Sequence, residues 1–324
     1  VALAPLRSVD TMVSALAQAV GFSLSGGGDP WQRLLAHLRD KRMLLILDNV
    51  EHLLDLHLLD STPPAGRGAE DLVNDLLAAA PGVQVVITSR VRLNVQSEHL
   101  LPVSGMAYPA LPANPPAHDA MQAADSLRET AQYSAVQLFL SSARRVRPGF
   151  EPAPGELADV AQICRLVQGM PLAILLAAAW MEMLSPAEIV TELDRGYGLL
   201  EADLRDLPAR QQSMEAVFDA SWRLLDGTER ETFARLSVFR GGFRRKAAQE
   251  VAGASLRTLR ALVHKSFLQR DAAGRYEVHE LLRQYAEHKL TEDLEEQQRT
   301  ADLHCRHYAE MLMLHREEMS LRMP

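Results

Sequence analysis

The chain is poor in the features that define several protein classes. It has two cysteines in 324 residues, Cys164 and Cys305, which excludes a disulfide framework and points to a reducing, cytoplasmic compartment. Its longest apolar run, 170–181, is too short to span a bilayer and carries Pro171 near its start, so a membrane partner is not expected. No signal peptide opens the chain. No clear internal repeat runs through it. A formal net charge of −8 argues against a surface coated for nucleic acid. Only four lysines occur (Lys41, Lys246, Lys265 and Lys289) and none follows a glycine, so the phosphate-loop pattern GxxxxGK[ST] is absent. The three glycines at 26–28 have no strand before them and no lysine after them. What is present is a 47% hydrophobic composition over a length that suits about two domains, or three small ones.

Hydrophobic periodicity divides the chain. Residues 1–4 read as a short apolar strand stopped by Pro5, and Ser8 caps a helix running to about Val20. Pro30 sits at the first position of a helix reaching Asp40. The run MLLILDN, 43–49, reads as a fully buried parallel strand ending in a carboxylate. A helix over 70–80 and two further strands, VQVVITSR at 83–90 and EHLLPV at 98–103, complete an α/β pattern. The proline- and alanine-rich stretch inside 104–133 reads as a linker. Helical stripes follow at 134–147, 155–168, 171–184 and 186–194. Three short helices at about 229–236, 244–252 and 255–265, then a hairpin across a glycine-containing turn, make a winged-helix pattern. The expected organisation is a partial α/β domain at 1–103, a linker at 104–133, a helical domain at 134–200, a winged helix at 201–285 and the start of a helical repeat at 286–324.

Four places carry candidate chemistry. Asp48 ends the first long strand, where open α/β sheets bind ligands, and a carboxylate there suits a hydrated Mg²⁺ on a nucleotide phosphate. Asn49 and Glu51 would orient water or support it, making Asp48, Asn49 and Glu51 the catalytic candidates. The alternative is that Asp48 caps the next helix. Thr88 and Ser89 offer hydroxyls at the end of the next strand, and Arg90 offers a planar cationic fork for phosphate or a plain surface ion pair. Gly169 ends one helix and Pro171 begins another, the pattern of a buried helix hairpin. His279 lies where the hairpin meets the last helix, as a phosphate donor or as an ordinary cap.

Together DNVEHLL, TSR, GMPLAILLAAA, LSVFRGGF, LVHKSFL and VHELLRQYA resemble, in order, the nucleotide-binding core of the signal-transduction ATPases with numerous domains, the NB-ARC-like class, and most of all bacterial transcriptional regulators of the LuxR and antibiotic-regulatory types. The resemblance covers nearly the whole chain. It implies a partial P-loop NTPase sheet plus helical and winged-helix domains, and ATP or ADP with Mg²⁺ as cofactors. It gives Asp48 the role of the Mg²⁺-holding acid, Arg90 that of the terminal-phosphate sensor, and Pro171 that of the adenine platform. His279 becomes the contact to the ADP β-phosphate in a closed state. The family's methionine-histidine-aspartate motif here reads Val278-His279-Glu280, with an acid one methylene longer. Since VALAPL matches the family's second strand and the chain opens on Val1, the expectation is a fragment whose first strand and phosphate loop lie upstream. That leaves 98–103 without its neighbour and nucleotide bound weakly or not at all, without turnover. The parent would self-associate in its ATP state and read DNA through a separate domain. Two other readings stay open. Residues 229–270 hold ten Arg or Lys against three Glu, a local excess of +7 that suits DNA. The helix over 304–319 resembles the start of a tetratricopeptide-like scaffold, and its His304, Cys305 and His307 lack a second pair at zinc spacing.

Overall fold

The computed structural model describes residues 1–54, 67–110, 128–201 and 213–321. They form two compact units, Val1–Pro102 with His264–Ser266, and Val103–Val263 with Phe267–Pro324. Helices dominate, and no described helix is long and apolar enough to cross a membrane.

In the first unit, Ser8 opens helix α1 (Val9–Ala19) through a capping box with Thr11. Asp29 opens α2 (Pro30–Leu38) by accepting the Trp31 N–H at 2.9 Å. Strands β1 (Met43–Asp48) and β2 (Val83–Thr88) flank α3 (Ala69–Ala79) and pair in parallel, Met43 opposite Val83 through Asp48 opposite Thr88. Successive side chains of a strand point to opposite faces. Leu45 and Leu47 therefore join Met12, Leu16, Leu34, Leu38, Leu72 and Leu76 in one core.

Three expectations change here. The 43–49 strand is not fully buried: Leu44, Ile46 and Val86, on the opposite face, are 55%, 52% and 49% exposed, because the helices of this unit pack on the Leu45–Leu47 side. Residues 1–4 form a single parallel bridge, Ala2 to Asp48, rather than a strand. Pro5 has no N–H with which to extend it. Segment 98–103 forms no strand, and Leu100, Leu101 and Val103 are exposed. A strand needs a hydrogen-bonded neighbour, and β2 has β1 on one side and no described strand on the other.

In the second unit, α4 (Ser134–Val146), α5 (Pro154–Leu166), α6 (Pro171–Ala179), α7 (Pro186–Arg195) and α8 (Met214–Trp222) surround one core. The helix expected over 171–184 gives way at Trp180 to a 3₁₀ turn (Trp180–Glu182), where the indole N–H donates to the Leu199 carbonyl at 2.6 Å. Helices α9 (Gly227–Leu236), α10 (Arg245–Ala252) and α11 (Leu256–His264) precede a hairpin of β3 (Gln269–Arg270) and β4 (Tyr276–Glu277). Phe243 adds a bridge to Tyr276. Helix α12 (Glu280–Thr291) then gives Leu281 and Tyr285 to the first core and Ala286 to a second one built on Phe233, Phe243 and Phe267. The expected boundary at 285 thus falls inside a single helix, before the long α13 (Leu294–Leu321).

The described residues 104–110 of the stretch expected as a linker, 104–133, make backbone hydrogen bonds within this unit. Met106 donates its N–H to the Gly169 carbonyl at 2.8 Å, and Ala135 donates to the Ala107 carbonyl at 3.1 Å. Residues 111–127 of that stretch, and 202–212 of the expected winged-helix domain, lie outside the described residues.

Candidate functional site

The sequence-derived site residues fall into two groups, one in each unit. The first is built by the parallel register, which sets Asp48 beside Thr88. The Thr88 hydroxyl donates to Asp48 Oδ1 at 2.5 Å and accepts the Asn49 N–H at 3.0 Å. Asn49 takes a left-handed φ of 66°, and with Val50 it donates backbone N–H groups to the Thr88 carbonyl. An asparagine tolerates that conformation better than most residues. This kink leaves Asp48 exposed at the strand end. Asp48 is not a helix cap: the next element is a 3₁₀ turn (Glu51–Leu53) that follows Val50 without a side-chain cap. Its Oδ2 takes no hydrogen bond from the described residues.

Glu51 starts that turn and is 6% exposed. Its Oε1 lies 3.6 Å from Arg90 Nε, and its Oε2 is buried without a hydrogen-bond partner among the described residues. Glu51 thus faces the guanidinium rather than open solvent, which makes it a counter-charge to Arg90 more than a water-orienting group. Arg90 keeps about a third of its side chain exposed. Two side-chain pairs, Thr88 with Asp48 and Arg90 with Glu51, accordingly stand at and just beyond the carboxyl end of two parallel strands.

The second group forms around the turn between α5 and α6. Gln168 and Gly169 both take left-handed φ, 49° and 67°. Gly169 donates its N–H to the Cys164 carbonyl at 2.9 Å, closing α5. A Cβ at Gly169 would collide with the Met106 carbonyl oxygen, and one at Gly105 with that of Gln168, so the two glycines permit the close backbone contact. Pro171, exposed at the first position of α6, has no N–H to satisfy.

His279 is the N-cap of α12, and its Nδ1 accepts the Leu281 N–H at 3.3 Å. Burial pulls its pKa down to about 4 against the opposing pull of Glu280. The ring is therefore neutral at pH 7, and with Nδ1 accepting, the proton sits on Nε2 as a donor. Glu280 is buried in part, which raises its pKa, but hydrogen bonds from Arg283 and Gln284 outweigh that and hold it below the usual carboxylate range. Arg283 grips both Glu280 oxygens at 2.8 and 2.9 Å and also donates to Glu287 and to the Ser237 carbonyl.

Two residues of this second group carried no sequence signal. Gln168 Oε1 accepts the Glu280 N–H at 3.3 Å across 112 positions. Arg283 reads in the sequence as one more cation on an amphipathic helix, yet it is 4% exposed.

The donor set decides what these groups can hold. No three His, Cys, Asp or Glu side chains gather as a metal cluster among the described residues, so Asp48 suits a hydrated cation as a single carboxylate, through water. Arg90 and the His279 Nε2–H suit phosphate oxygens. The backbone cradle and lysine of a phosphate loop have no counterpart in the sequence.

No family model matches the chain. A Mycobacterium tuberculosis protein that bears the name of an HTH-type transcriptional regulator, Rv0890c, is 34% identical over 315 residues, covering 94% of this chain and 31% of its own length. The chain thus spans about a third of the regulators it matches. An uncharacterized M. tuberculosis protein, Rv0894, is 30% identical over 302 residues, 90% of this chain and 68% of its own length. A solved STAND protein with a tetratricopeptide repeat sensor, from Pyrococcus horikoshii, aligns over 89% of this chain and 33% of its own at 15% identity, with a TM-score of 0.28 that supports no conclusion about fold.

Proposed function

The chain belongs to the family of the uncharacterized mycobacterial protein Rv0894, and from that premise we propose that it is the core of an ATP/ADP-dependent regulatory switch within a longer bacterial transcriptional regulator. The observation that carries the reading is the Asp48–Thr88 hydrogen bond at the carboxyl end of two parallel strands, with the Arg90–Glu51 ion pair in the segments that follow them. The names of the longer relatives, HTH-type transcriptional regulators, support the output.

In this proposal Asp48 holds Mg²⁺ through water on its unengaged oxygen, with Thr88 fixing the carboxylate. Arg90, held by Glu51, takes a phosphate oxygen. In the second unit, Gly169 shapes the turn that exposes Pro171, an apolar surface suited to a base, and His279 carries an Nε2–H suited to a phosphate oxygen. A bound Mg²⁺–nucleotide would supply the charge that these groups read. The three helices and hairpin of 227–277 act as a winged helix, and α13 begins a helical repeat that serves as the sensor. Inducer binding and exchange of ADP for ATP open the core for self-association, while a separate domain reads DNA.

Direct DNA binding by the 229–270 surface is the weaker reading. Arg235 pairs with Glu296 and Arg240 with Glu287, two acids outside that stretch, and Lys265 is buried, so part of the local positive charge is neutralised or withdrawn from the surface.

Calorimetry with Mg·ADP tests the proposal in a longer protein that joins this chain to a phosphate loop. His279→Ala and Asp48→Ala are each expected to weaken ADP at least about tenfold, the scale of one charge-assisted contact. Unchanged affinity in both variants would refute it. The 324-residue chain alone is expected to bind far more weakly than the longer protein.

A further inference from the structure

We infer that Gln168 is the positioning residue that sets the His279 ring, by tying the turn before Pro171 to the first turn of α12. The inference rests on the reading of His279 as a phosphate-facing donor, but its evidence is local geometry. An α-helix starts with backbone N–H groups that have no intrahelical acceptor. In α12 two of these are closed by side chains from different parts of the chain. Gln168 Oε1 accepts the Glu280 N–H at 3.3 Å, and His279 Nδ1 accepts the Leu281 N–H at 3.3 Å.

The two bonds complement each other. The His279 ring can hold its Nδ1 on Leu281 only while the first turn of α12 stays wound, and Gln168 supplies the neighbouring acceptor that keeps it wound. Gln168 is itself fixed. It stands in the left-handed region, its N–H donates to the Arg165 carbonyl at 2.9 Å, and the following Gly169 is pinned on both sides by Cys164 and Met106. A carboxamide on so rigid a turn gives α12 a reference point in the helical core. Gln168 thereby couples the placement of Pro171 to the direction of the His279 Nε2–H. The sequence pattern QGMP carries this role only because the fold brings 168 and 280 together.

The test uses the 324-residue chain uniformly labelled with ¹⁵N, with amide exchange read at 280 and 281 and the ring nitrogens read at His279. Gln168→Leu removes the acceptor while keeping a side chain of similar size, not branched at Cβ, at the left-handed φ. Exchange at both amides is expected to rise roughly fivefold, the scale of one lost hydrogen bond, and His279 to change from a single Nε2–H tautomer to a mixture. Gln168→Glu keeps an oxygen acceptor beside the positive end of the helix dipole and should restore both signals. Unchanged exchange and tautomer in Gln168→Leu would overturn the inference, as would a failure of Gln168→Glu to restore them. If Gln168→Leu does not fold, Gln168→Asn draws the acceptor back by one methylene, and the same two readouts decide. If Gln168→Leu changes both signals while the unsubstituted chain joined to a phosphate loop binds no ADP, the nucleotide reading is refuted and the positioning role stands.

Discussion

Replacing Arg283 by leucine separates a structural ion network from a row of solvated charges. The guanidinium is 4% exposed and donates to Glu280 at 2.8 and 2.9 Å, to Glu287 at 2.9 Å and to the Ser237 carbonyl at 2.9 Å. Removing one partner of a fully buried pair costs about 3–5 kcal/mol. Glu280 and Glu287 keep 35% and 41% of their side chains exposed, so they can rehydrate, which lowers this part to about 2 kcal/mol. The orphaned Ser237 carbonyl adds on the order of 1 kcal/mol. A total near 3 kcal/mol corresponds to roughly 6–12 °C in Tm for a unit of this size. Were the bridges ordinary surface pairs, the loss would stay under about 1 kcal/mol. Thermal and urea unfolding measure the difference. The triple variant Arg283→Leu, Glu280→Gln, Glu287→Gln should recover much of the loss, since no unpaired charge remains. The pH dependence has a defined sign: Glu280 is held below its ordinary value of 4.5, so its contribution is present above pH 4.5 and lost as pH falls through its lower folded value. The stability gap between wild type and Arg283→Leu should therefore narrow in acid. A Tm shift below about 2 °C, or a gap indifferent to pH, would refute the reasoning.

Gly169→Ala combines a left-handed φ with a collision on the Met106 carbonyl and should cost more than about 2 kcal/mol in urea unfolding; a neutral variant would contradict the close contact. Ile46→Ser, on the bare face of the sheet, should change stability by less than about 1 kcal/mol, while Leu47→Ala should cost about 2–5 kcal/mol; equal losses would mean that the face is covered. The depressed pKa of His279 favours the unfolded chain in acid, because the unfolded ring takes up its proton near 6.5 and the folded ring near 4. Stability should fall across that window, and His279→Asn, which keeps a cap acceptor, should flatten the fall; an identical pH profile would remove His279 as its cause. Thr88→Val strips a hydrogen bond from Asp48 and another from Asn49 and should destabilise the first unit by about 1–2 kcal/mol in urea unfolding, with no change counting against the described junction.

Much of the local structure was legible because its signals are local. Ser8 and Pro30 mark helix starts through signals within a few positions of the N–H groups concerned, whereas the helix expected from about 229 begins at Gly227 behind the Asp226 cap. The 43–48 run was recognisable as a strand, but its burial was not, since burial depends on which layers cover a sheet and not on the apolar run itself. Segment 98–103 shows the same limit: its composition suits a strand, yet a ladder needs a partner. The 105–108 stretch looked like linker because proline and alanine follow it, while Gly105 and Gly169 allow two backbones to meet across more than 60 positions.

For the site, residue types and order alone marked Asp48, Thr88, Arg90, Gly169, Pro171 and His279, because carboxylates at strand ends and punctuated helix boundaries are written in sequence. Composition likewise excluded a disulfide scaffold and a phosphate loop. Tertiary structure alone decided that Asp48 answers to Thr88 instead of capping a helix, that Glu51 turns toward Arg90, and that Gln168 and Arg283 brace the His279 turn. Those roles come from hydrogen bonds between positions dozens of residues apart, and from the loss of water around them. A linear sequence specifies both without displaying either.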